Sequence, residues 1–346
     1  MTKVAVALSG GVDSAVTAAL LLEQGYEVIG LTGKMTCSED SEVIAQNAKK
    51  VADKLGIKHY VLDVTKEFES KVINYFKNSY EKGETPNPCI MCNKYIKWGK
   101  LFDYAINELN ADYIATGHYA NIKEKDGYYK LYPATDEHKD QLYFLFLLSQ
   151  EHLAKTLFPL SKYKKEEVKK LAEKYDLPPK SSKESQDICF IKAPNTTKKY
   201  LNNIFGAKEG NFVQKISGKV LGKHSGYWQY TIGQRKGIGL AAPEALYVLE
   251  IDSKTNTVYV GYKEELLAKS LQIKNMHWNY PINQNEFEAF VKIRYNMNAV
   301  KANIFIENNI VNIIFKEDVF GLTPGQACVL YDIDDGHLIG GQYFST

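Results

Sequence analysis

Arginine is almost missing from this sequence. Of its 346 residues, 43 are lysine or arginine, and all of these except Arg235 and Arg294 are lysine. The 41 acidic residues nearly cancel them, which leaves a formal net charge of +2. This balance excludes a surface that is basic everywhere, although one face can still be basic. Lysine dominance by itself indicates little beyond codon usage, but a lysine cannot replace a planar guanidinium, so the two arginines are followed individually below.

Long apolar runs are missing as well. No stretch reaches the roughly 18 apolar residues that span a membrane. The apolar run after Lys3 breaks at Gly10 and Gly11, which makes it too short for a signal peptide. We therefore expect a soluble, cytoplasmic protein. Because 45% of the residues are hydrophobic, the chain can bury a core and is not a disordered protein. Its length suggests two or three domains.

Cysteine is scarce, and the five present are Cys37, Cys89, Cys92, Cys189 and Cys328. An odd number in a long chain argues against a secreted disulfide framework and favours reactive thiols or metal ligands. Cys37 and Cys328 fit the usual fate of a small buried side chain. Cys89 and Cys92 fit it poorly, because they stand in a proline-rich segment that we predict to be a loop. Cys92 directly precedes a predicted helix, whose dipole would lower its pKa.

The first half of the chain alternates strand-like and helix-like patterns. The strands are predicted over Lys3–Leu8, Glu27–Thr32, His59–Val64 and Asp112–Thr116, and the helices over Ser14–Gln24, Ser41–Leu55, Glu67–Tyr80 and Lys94–Glu108. Strands separated by helices of this length indicate right-handed βαβ units and therefore a parallel sheet. Ligands of such sheets bind beyond the carboxyl ends of the strands.

The pattern changes near Pro194, after which helices become rare. Short strands are predicted over Phe212–Gln214, Tyr247–Ile251, Thr257–Tyr262, Phe287–Tyr295, Val300–Ile306, Ile310–Phe315 and Ala327–Tyr331. Turn residues recur between them at short intervals, as in a small β-barrel or sandwich. We place one boundary near residue 197 and a softer one near 270, where Leu271–Tyr280 begins a final all-β unit.

A glycine-rich turn joins the first strand to the first helix. It reads Ser9-Gly10-Gly11-Val12-Asp13-Ser14. Glycines let the backbone approach a ligand closely, the serine hydroxyls can donate to phosphate oxygens, and the helix start offers unpaired N–H groups. An ordinary strand-to-helix turn would show the two glycines without the flanking hydroxyls. The lysine of a Walker loop is absent, so the turn suits binding of pyrophosphate better than transfer of a γ-phosphoryl group.

This turn resembles the pyrophosphate loop of the N-type ATP pyrophosphatases. Further segments resemble the tRNA-specific 2-thiouridylases, and together they span nearly the whole chain. They are TPNPCIMCNKYIK (85–97), ATGHY (115–119), KDQLY (139–143), SQDICFI (185–191), YTIGQRKGIGL (230–240), Arg294-Tyr295 and TPGQ (323–326). The resemblance implies an α/β fold, with an adenine nucleotide α-hydrolase-like parallel sheet domain at 1–196, a small central domain at 197–269 and a C-terminal, tRNA-contacting β-barrel at 270–346.

The resemblance also implies a reaction. The wobble uridine of tRNA would be adenylated on its C2 oxygen by ATP with Mg²⁺, and a persulfide on Cys189 would then supply sulfur. Cys92 would act as a nucleophile or release the sulfur by forming a disulfide with Cys189, which requires the 189 segment to fold over the 92 segment. The implied partners are tRNA and a sulfur-donor protein, either a cysteine desulfurase or a relay carrier.

The remaining site residues come from the same resemblance. Those implied to bind the nucleotide are Ala7, Leu8, Ser9, Gly10, Gly11, Val12, Asp13, Ser14, Met35 and Gly117. Those implied to contact tRNA are Asn87, Pro88, Cys89, His118, Lys139, Asp140, Gln141, Arg294, Tyr295 and Gln326. We expect Lys139-Asp140-Gln141 to open a helix. We also expect Arg294 with Tyr295 to grip tRNA, while Arg235 braces the central domain. Residues 159–200 carry 11 lysines against six acids, a local excess that would attract phosphates.

One departure from the family pattern leaves alternatives open. The family usually has aspartate three residues before the nucleophile, and this chain has Cys89 there. Cys89, Cys92 and Cys189 could therefore hold an iron–sulfur cluster with one open iron, or a zinc ion. Two further alternatives are an ATP-pyrophosphatase ligase acting on a small molecule, which would not need the cysteines, and a non-catalytic metal-containing RNA-binding module, which would not need the Ser9–Ser14 loop.

Overall fold

The computed structural model of the chain describes residues 1–177, 188–191 and 194–344. Its first unit has seven strands: β1 (Lys3–Ala7), β2 (Glu27–Lys34), β3 (Lys58–Asp63), β4 (Tyr113–Ala115), β5 (Asn121–Lys125), β6 (Tyr128–Tyr132) and β7 (Thr156–Leu157). Five of them form a wholly parallel sheet in the order β3–β2–β1–β4–β7. The predicted parallel sheet is confirmed. The antiparallel hairpin of β5 and β6 was not predicted.

The helices surround this sheet and join it to the second unit. They are α1 (Val12–Glu23), α2 (Glu39–Leu55), α3 (Thr65–Phe68), α4 (Asn74–Glu81), α5 (Pro88–Cys92), α6 (Gln150–Ala154), α7 (Lys165–Lys174) and α8 (Thr197–Phe205). Wider turns with i→i+5 hydrogen bonds occupy Glu69–Ile73, Asn93–Leu101 and Tyr104–Glu108. The predicted helix over Glu67–Tyr80 is thus a run of α3, one wide turn and α4.

Both faces of the parallel sheet are buried. In β1, Val4 and Val6 face the side covered by α1, α2 and α7, while Ala5 faces the opposite side, and all three side chains are fully buried. This explains why the strand sequence is continuously apolar rather than alternating. The strand order reverses between β1 and β4, so the segments that leave their carboxyl ends diverge and open a crevice there.

The second unit is a four-stranded sheet. Its strands are β8 (Gly210–Gln214), β9 (Val220–His224), β10 (Tyr247–Asp252) and β11 (Thr257–Gly261), in the order β10–β11–β8–β9, and only the β8–β11 pair is parallel. The aromatic run Tyr227-Trp228-Gln229-Tyr230 packs into its core, and the rings of all three aromatic residues are buried. Phe76 and Tyr80 of the first unit belong to the same core, so the two units are packed together.

The third unit is a seven-stranded antiparallel sheet. Its strands are β12 (Leu267–Lys274), β13 (His277–Trp278), β14 (Glu286–Lys292), β15 (Val300–Glu307), β16 (Ile310–Phe320), β17 (Ala327–Tyr331) and β18 (Leu338–Tyr343). It curls around a core of aliphatic side chains that includes Val291, Ile304 and Ile313. The start of β17 packs on the first unit, where the hydroxyl of Tyr143 donates to the carbonyl of Ala327 at 2.9 Å.

Three local predictions are wrong. The proline-rich segment holds the short helix α5, because Pro88 fits the first position of a helix and the Asn87 side chain accepts from the Cys89 N–H at 3.2 Å. Lys139-Asp140-Gln141 leads only into a three-residue 3₁₀ turn, Leu142–Phe144. Helix α1 begins at Val12, two residues before Ser14. Residues 185–187 of the SQDICFI segment lie outside the described residues. Among the helices described, none is both long and apolar enough to cross a membrane.

Candidate active site

The Ser9–Ser14 loop is a tight turn that leads into α1. Gly10 has a φ of +70°, and a Cβ at this position would lie 2.6 Å from the Cβ of Asn47, so only glycine fits. The Ser9 N–H donates to the Ser14 hydroxyl oxygen at 3.1 Å, and the Ser14 hydroxyl donates to the Gly11 carbonyl at 3.0 Å. No side chain caps the first turn of α1, which leaves its N–H groups for an anion.

Gly117 packs against the backbone of this loop. A Cβ on Gly117 would lie 2.9 Å from the backbone carbon of Asp13 and 3.1 Å from the Ser14 nitrogen. The segment after β4 therefore packs directly against the loop after β1, at the point where the strand order reverses. A residue predicted to contact the nucleotide thus lies in contact with the backbone of the predicted phosphate loop.

The carboxylate of Asp13 is already paired. Nζ of Lys165, at the start of α7, lies 2.7 Å from each of its two oxygens, and the Tyr119 hydroxyl donates to it at 3.1 Å. The side chain of Lys165 is only 13% exposed. Lys165 is not among the predicted site residues, because within its lysine-rich run nothing distinguishes it from solvated neighbours. Asp13 is about 150 residues away, so only the fold reveals the pair.

A cavity of about 650 Å³ opens beside the loop. Its lining includes Ala7, Leu8, Ser9 and Met35 from the predicted nucleotide residues, and Pro88, Cys89, Cys92 and Cys189 from the predicted tRNA and catalytic residues. The volume lies within the usual range of about 300–1,000 Å³ for small-molecule sites. The fold therefore brings the loop and three cysteines, which are far apart in sequence, to one cavity.

The helical position and the pKa of Cys92 differ from those predicted. It ends α5 and continues into the wide helical turns of Asn93–Leu101, so it does not stand at a helix N-terminus. Its side chain is buried, and burial raises the pKa of the Cys92 thiol to about 12, a shift that the nearby Lys97 ammonium only partly opposes. The predicted lowering of this pKa is wrong, because desolvation disfavours the thiolate more than the surrounding charges favour it.

Cys189 lies in a tight turn, in which the Ile191 N–H donates to the Ile188 carbonyl at 2.9 Å. Cys189 is exposed, while its neighbour Phe190 packs edge-on against Phe76, with 5.3 Å between ring centroids. The 189 segment lies over the 92 segment, since Cys189 and Cys92 line the same cavity. None of the described cysteines forms a disulfide. Cys328 is buried as predicted, whereas Cys37 is exposed, contrary to the expectation.

His118 points inward rather than toward open solvent. It is buried, its Nδ1 lies 2.7 Å from the Thr116 hydroxyl oxygen, and its Nε2 lies 3.2 Å from Nζ of Lys97. Burial, together with the Lys97 charge, moves the pKa of His118 well below its ordinary value. His118 is therefore neutral at physiological pH and holds Lys97, which lines the cavity.

Several predicted tRNA residues form hydrogen bonds within the first unit or between the first and third units. The Asp140 carboxylate accepts from the N–H groups of Ala134 and Leu142, and the Gln141 side chain accepts from the Tyr119 N–H at 3.0 Å. The Tyr295 hydroxyl donates to the Asp140 carbonyl at 3.2 Å, and the Gln326 amide donates to the Thr85 carbonyl at 2.7 Å. Lys139 is half-buried beside them. Their contact with tRNA stays a prediction.

The two arginines occupy different environments. One terminal nitrogen of Arg294 contacts the carbonyls of Ile232 and Gly321 and the hydroxyl of Thr323, so this guanidinium braces the third unit against the second. Arg235, expected to be the brace, is exposed in the turn after Gly233. Whether Arg294 also contacts tRNA stays a prediction.

The sulfur atoms of Cys89, Cys92 and Cys189 are too far apart to bind one metal ion together. Within the described residues, the cluster of potential metal ligands is Asp332, Asp335 and His337 in the third unit, and its ligand atoms lie within 4.8 Å of one another. The sulfurs of Cys89, Cys92 and Cys189 do not meet that spacing, which a zinc ion would require. An iron–sulfur cluster binds thiolates that are further apart, so this spacing leaves that alternative open.

Three family models match the chain in succession. They are a tRNA methyl transferase HUP domain over residues 2–193, a tRNA methyl transferase PRC-barrel domain over 198–262 and an aminomethyltransferase beta-barrel domain over 268–343. Together they match the order parallel sheet, small central sheet and curled antiparallel sheet described above.

Curated relatives match over almost the whole chain. The tRNA-specific 2-thiouridylase MnmA of Rippkaea orientalis is 44% identical over 341 residues, covering 96% of this chain and 97% of that protein. The protein of the same name from Carboxydothermus hydrogenoformans is 45% identical over 358 residues, covering 98% and 96%. Among solved structures, the U34-tRNA thiolase NcsA from Methanococcus maripaludis with its [4Fe-4S] cluster is 23% identical, covering 54% of this chain and 60% of that one, with a TM-score of 0.37.

Proposed function

The chain belongs to the family of tRNA-specific 2-thiouridylases, and from that premise we propose how its cavity converts a wobble uridine of tRNA to 2-thiouridine. It is a tRNA-uridine 2-sulfurtransferase with an ATP-binding HUP domain. The observation that carries the proposal is the shared cavity, in which Ser9 of the phosphate loop, Cys92 and Cys189 line one space.

The first step is adenylation. The triphosphate of ATP binds at the Ser9–Ser14 loop, where the uncapped N–H groups at the start of α1 bind the anion. The C2 oxygen of the uridine attacks the α-phosphorus, the bond from that phosphorus to the bridging oxygen breaks, and pyrophosphate leaves with the electron pair. The uridine loses its N3 proton to solvent. Mg²⁺ would enter with the triphosphate. Because Lys165 neutralises Asp13, this loop carboxylate contributes little to holding the ion.

The second step transfers sulfur. A donor protein first supplies a sulfur atom to exposed Cys189, which becomes a persulfide. The terminal sulfur attacks C2, and the sulfur of Cys92 attacks Sγ of Cys189, so the persulfide S–S bond breaks. The electron pair left on the transferred sulfur forms the C2=S bond and expels AMP. The AMP takes the Cys92 proton, and the uridine regains its N3 proton. The two cysteines are left oxidised as a disulfide, and an external dithiol must reduce it before the next turnover.

The raised pKa of Cys92 gives this order a physical basis. A buried, protonated thiol does not compete with Cys189 for the incoming sulfur, because the thiolate is the nucleophile and Cys189 is the exposed one. Cys92 then reacts only within the cavity, against a sulfur already held beside it.

The experiment combines ATP, a tRNA with U34 unmodified, and protein loaded anaerobically with persulfide, followed by nucleoside analysis. Wild type forms 2-thiouridine without an added dithiol, for a single turnover. Cys189→Ala forms none. Cys92→Ala accumulates a protein–tRNA adduct that dithiothreitol releases as 2-thiouridine, because the S–S bond is no longer broken internally. Cys37→Ser, at an exposed cysteine that does not line the cavity, behaves as wild type.

Two outcomes would overturn the proposal. Thiolation that survives both Cys92→Ala and Cys189→Ala would exclude the cysteine relay. AMP formation that is independent of tRNA would instead favour a ligase acting on a small molecule.

An iron–sulfur cluster is the alternative that uses the same thiols. Cys89 and Cys92 lie three residues apart on α5 and line the cavity with Cys189, so three thiolates could hold a cluster with one iron open to a sulfur ligand. Iron and labile sulfide in stoichiometric amounts in anaerobically purified protein, lost in Cys89→Ser together with thiolation, would support this alternative. Full activity of iron-free protein would exclude it.

A further inference from the structure

The described part of the cavity lining carries little charge. Among the described residues that line it, Lys97 is the only one with a charged side chain, and the others are apolar or neutral polar residues and three thiols. ATP brings several negative charges into this space. A single cation in a largely apolar enclosure acts more strongly on them than it would in water, because the local dielectric constant is low.

The helical geometry directs Lys97 to the reacting groups. Lys97 lies in Asn93–Leu101, where the hydrogen bonds run from i to i+5, and Cys92 immediately precedes this segment. Five residues correspond to about one turn of such a helix, so Lys97 lies next to Cys92 on the same face, and both line the cavity. A wide turn of this type is often found at functional sites.

His118 positions the ammonium without cancelling its charge. An ammonium only donates hydrogen bonds, so the 3.2 Å contact makes Nε2 of His118 the acceptor. The His118 proton is therefore on Nδ1 and is donated to the hydroxyl oxygen of Thr116 at 2.7 Å. Lys97 is half-buried, and within the described part of the chain no carboxylate pairs with it. Lys165 differs in this respect, because Asp13 neutralises it.

We propose that Lys97 is a catalytic residue of the adenylation step, and that its ammonium binds a non-bridging oxygen of the ATP α-phosphate while the uridine oxygen attacks. This inference rests on the proposed function. The Lys97 side chain stabilises the charge that spreads over the equatorial oxygens as the bond to pyrophosphate breaks. The phosphate loop holds the leaving pyrophosphate, and Lys97 acts on the phosphorus between it and the uridine.

The test measures AMP formation in a single turnover with tRNA and ATP. Lys97→Met is expected to slow AMP formation by about 10²–10³-fold, the usual cost of removing one such donor. ATP binding, measured by equilibrium dialysis, changes by less than about fivefold, since the loop still holds the pyrophosphate. Lys97→Arg retains the charge and recovers part of the rate. Lys100→Met is the matched control, because Lys100 lies in the same helical segment but pairs with Glu67 at the surface, and it reacts as wild type.

A stereochemical readout separates this role from a merely structural one. The two diastereomers of ATPαS replace different non-bridging α-oxygens by sulfur. Wild type is expected to use one diastereomer at least tenfold more slowly than the other, and Lys97→Met is expected to lose most of that difference. A folding defect would slow both diastereomers equally. Lys97→Gln serves the same comparison if the methionine variant is unstable.

Failure of the proposed role of Lys97 and failure of the proposed function give different results. If wild type forms no AMP with tRNA, the proposed function fails. If wild type forms AMP and Lys97→Met forms it at the same rate, or slows only the later sulfur transfer, the role of Lys97 in adenylation is overturned. A diastereomer preference that persists unchanged in the folded variant would overturn it as well.

Discussion

Nζ of Lys165 lies 2.7 Å from both carboxylate oxygens of Asp13 and joins the start of α7 to the phosphate loop. The pair is mostly shielded from solvent, with side chains 13% and 29% exposed. If ATP binds at this loop as proposed, the Asp13 carboxylate without its cation would place an uncompensated negative charge beside the triphosphate. The ion pair would then make an otherwise repulsive loop position compatible with ATP.

Lys165→Met is expected to weaken ATP binding by about tenfold, with a loss of stability on the order of 1–2 kcal/mol for a partly buried pair. Isothermal titration calorimetry and thermal unfolding measure the two effects. Adding Asp13→Asn to this variant removes the unpaired charge and restores much of the affinity. Lys174→Met is the control, because Lys174 lies on the same helix as Lys165 but forms an exposed ion pair with Glu23 of α1. Unchanged ATP affinity in Lys165→Met would show that the pair serves stability alone.

The arginine positions predict contrasting effects of the same substitution. The lysine in Arg294→Lys ends one bond short of the terminal nitrogen that contacts the Ile232 and Gly321 carbonyls, so we expect a lower thermal midpoint and a loss of about 1–3 kcal/mol. Arg235→Lys changes an exposed side chain and is expected to stay within about 0.5 kcal/mol of wild type.

Binding of tRNA to the same two variants, measured over a range of salt concentrations, tests the predicted contact. Weaker binding by Arg294→Lys at every salt concentration would support it. Binding equal to wild type would leave Arg294 as a brace between the second and third units.

The thiol of Cys92 predicts an unusual pH profile of alkylation. Because its pKa is raised to about 12, the thiolate fraction rises about tenfold per pH unit up to that value. The rate of iodoacetamide modification at Cys92, followed by mass spectrometry, should therefore still rise between pH 9 and 10. A free cysteine in the same buffer levels off above its pKa of about 8.5. A plateau for Cys92 below pH 9 would contradict the prediction.

The buried His118 predicts a loss of stability in acid. Its pKa in the folded protein is well below the ordinary value of about 6.5. Below pH 6.5 the unfolded chain therefore binds a proton that the folded chain does not, and the free energy of unfolding falls as pH decreases, by up to about 1.4 kcal/mol per pH unit. His118→Gln retains an acceptor for Lys97 and removes this proton.

Thermal midpoints between pH 5 and 7 test this prediction. The midpoint of His118→Gln should fall less steeply with acid than that of wild type. His138→Gln, at an exposed histidine, should parallel wild type. Parallel curves for His118→Gln and wild type would contradict the assignment of a low pKa to His118.

Much of the fold follows from local patterns. The apolar runs of β1 and β2, the amphipathic α2 and its end at Gly56 are all visible in sequence, because each depends on periodicity or on a glycine with positive φ. The short helix α5 was missed, since its signal, Pro88 after the capping Asn87, is only a few residues long. The β5–β6 hairpin was missed as well.

The type of chemistry can be read from the sequence, which has a predicted phosphate loop without a Walker lysine, and Cys92 and Cys189 in segments that resemble one enzyme family. The electrostatics depend on the tertiary structure. It pairs Lys165 with Asp13, places Lys97 as the one charged group among the described residues that line the cavity, buries Cys92 and turns Arg294 inward. These results depend on desolvation and on contacts between residues distant in sequence, and neither can be read from a local pattern, because both arise only when the three units pack together.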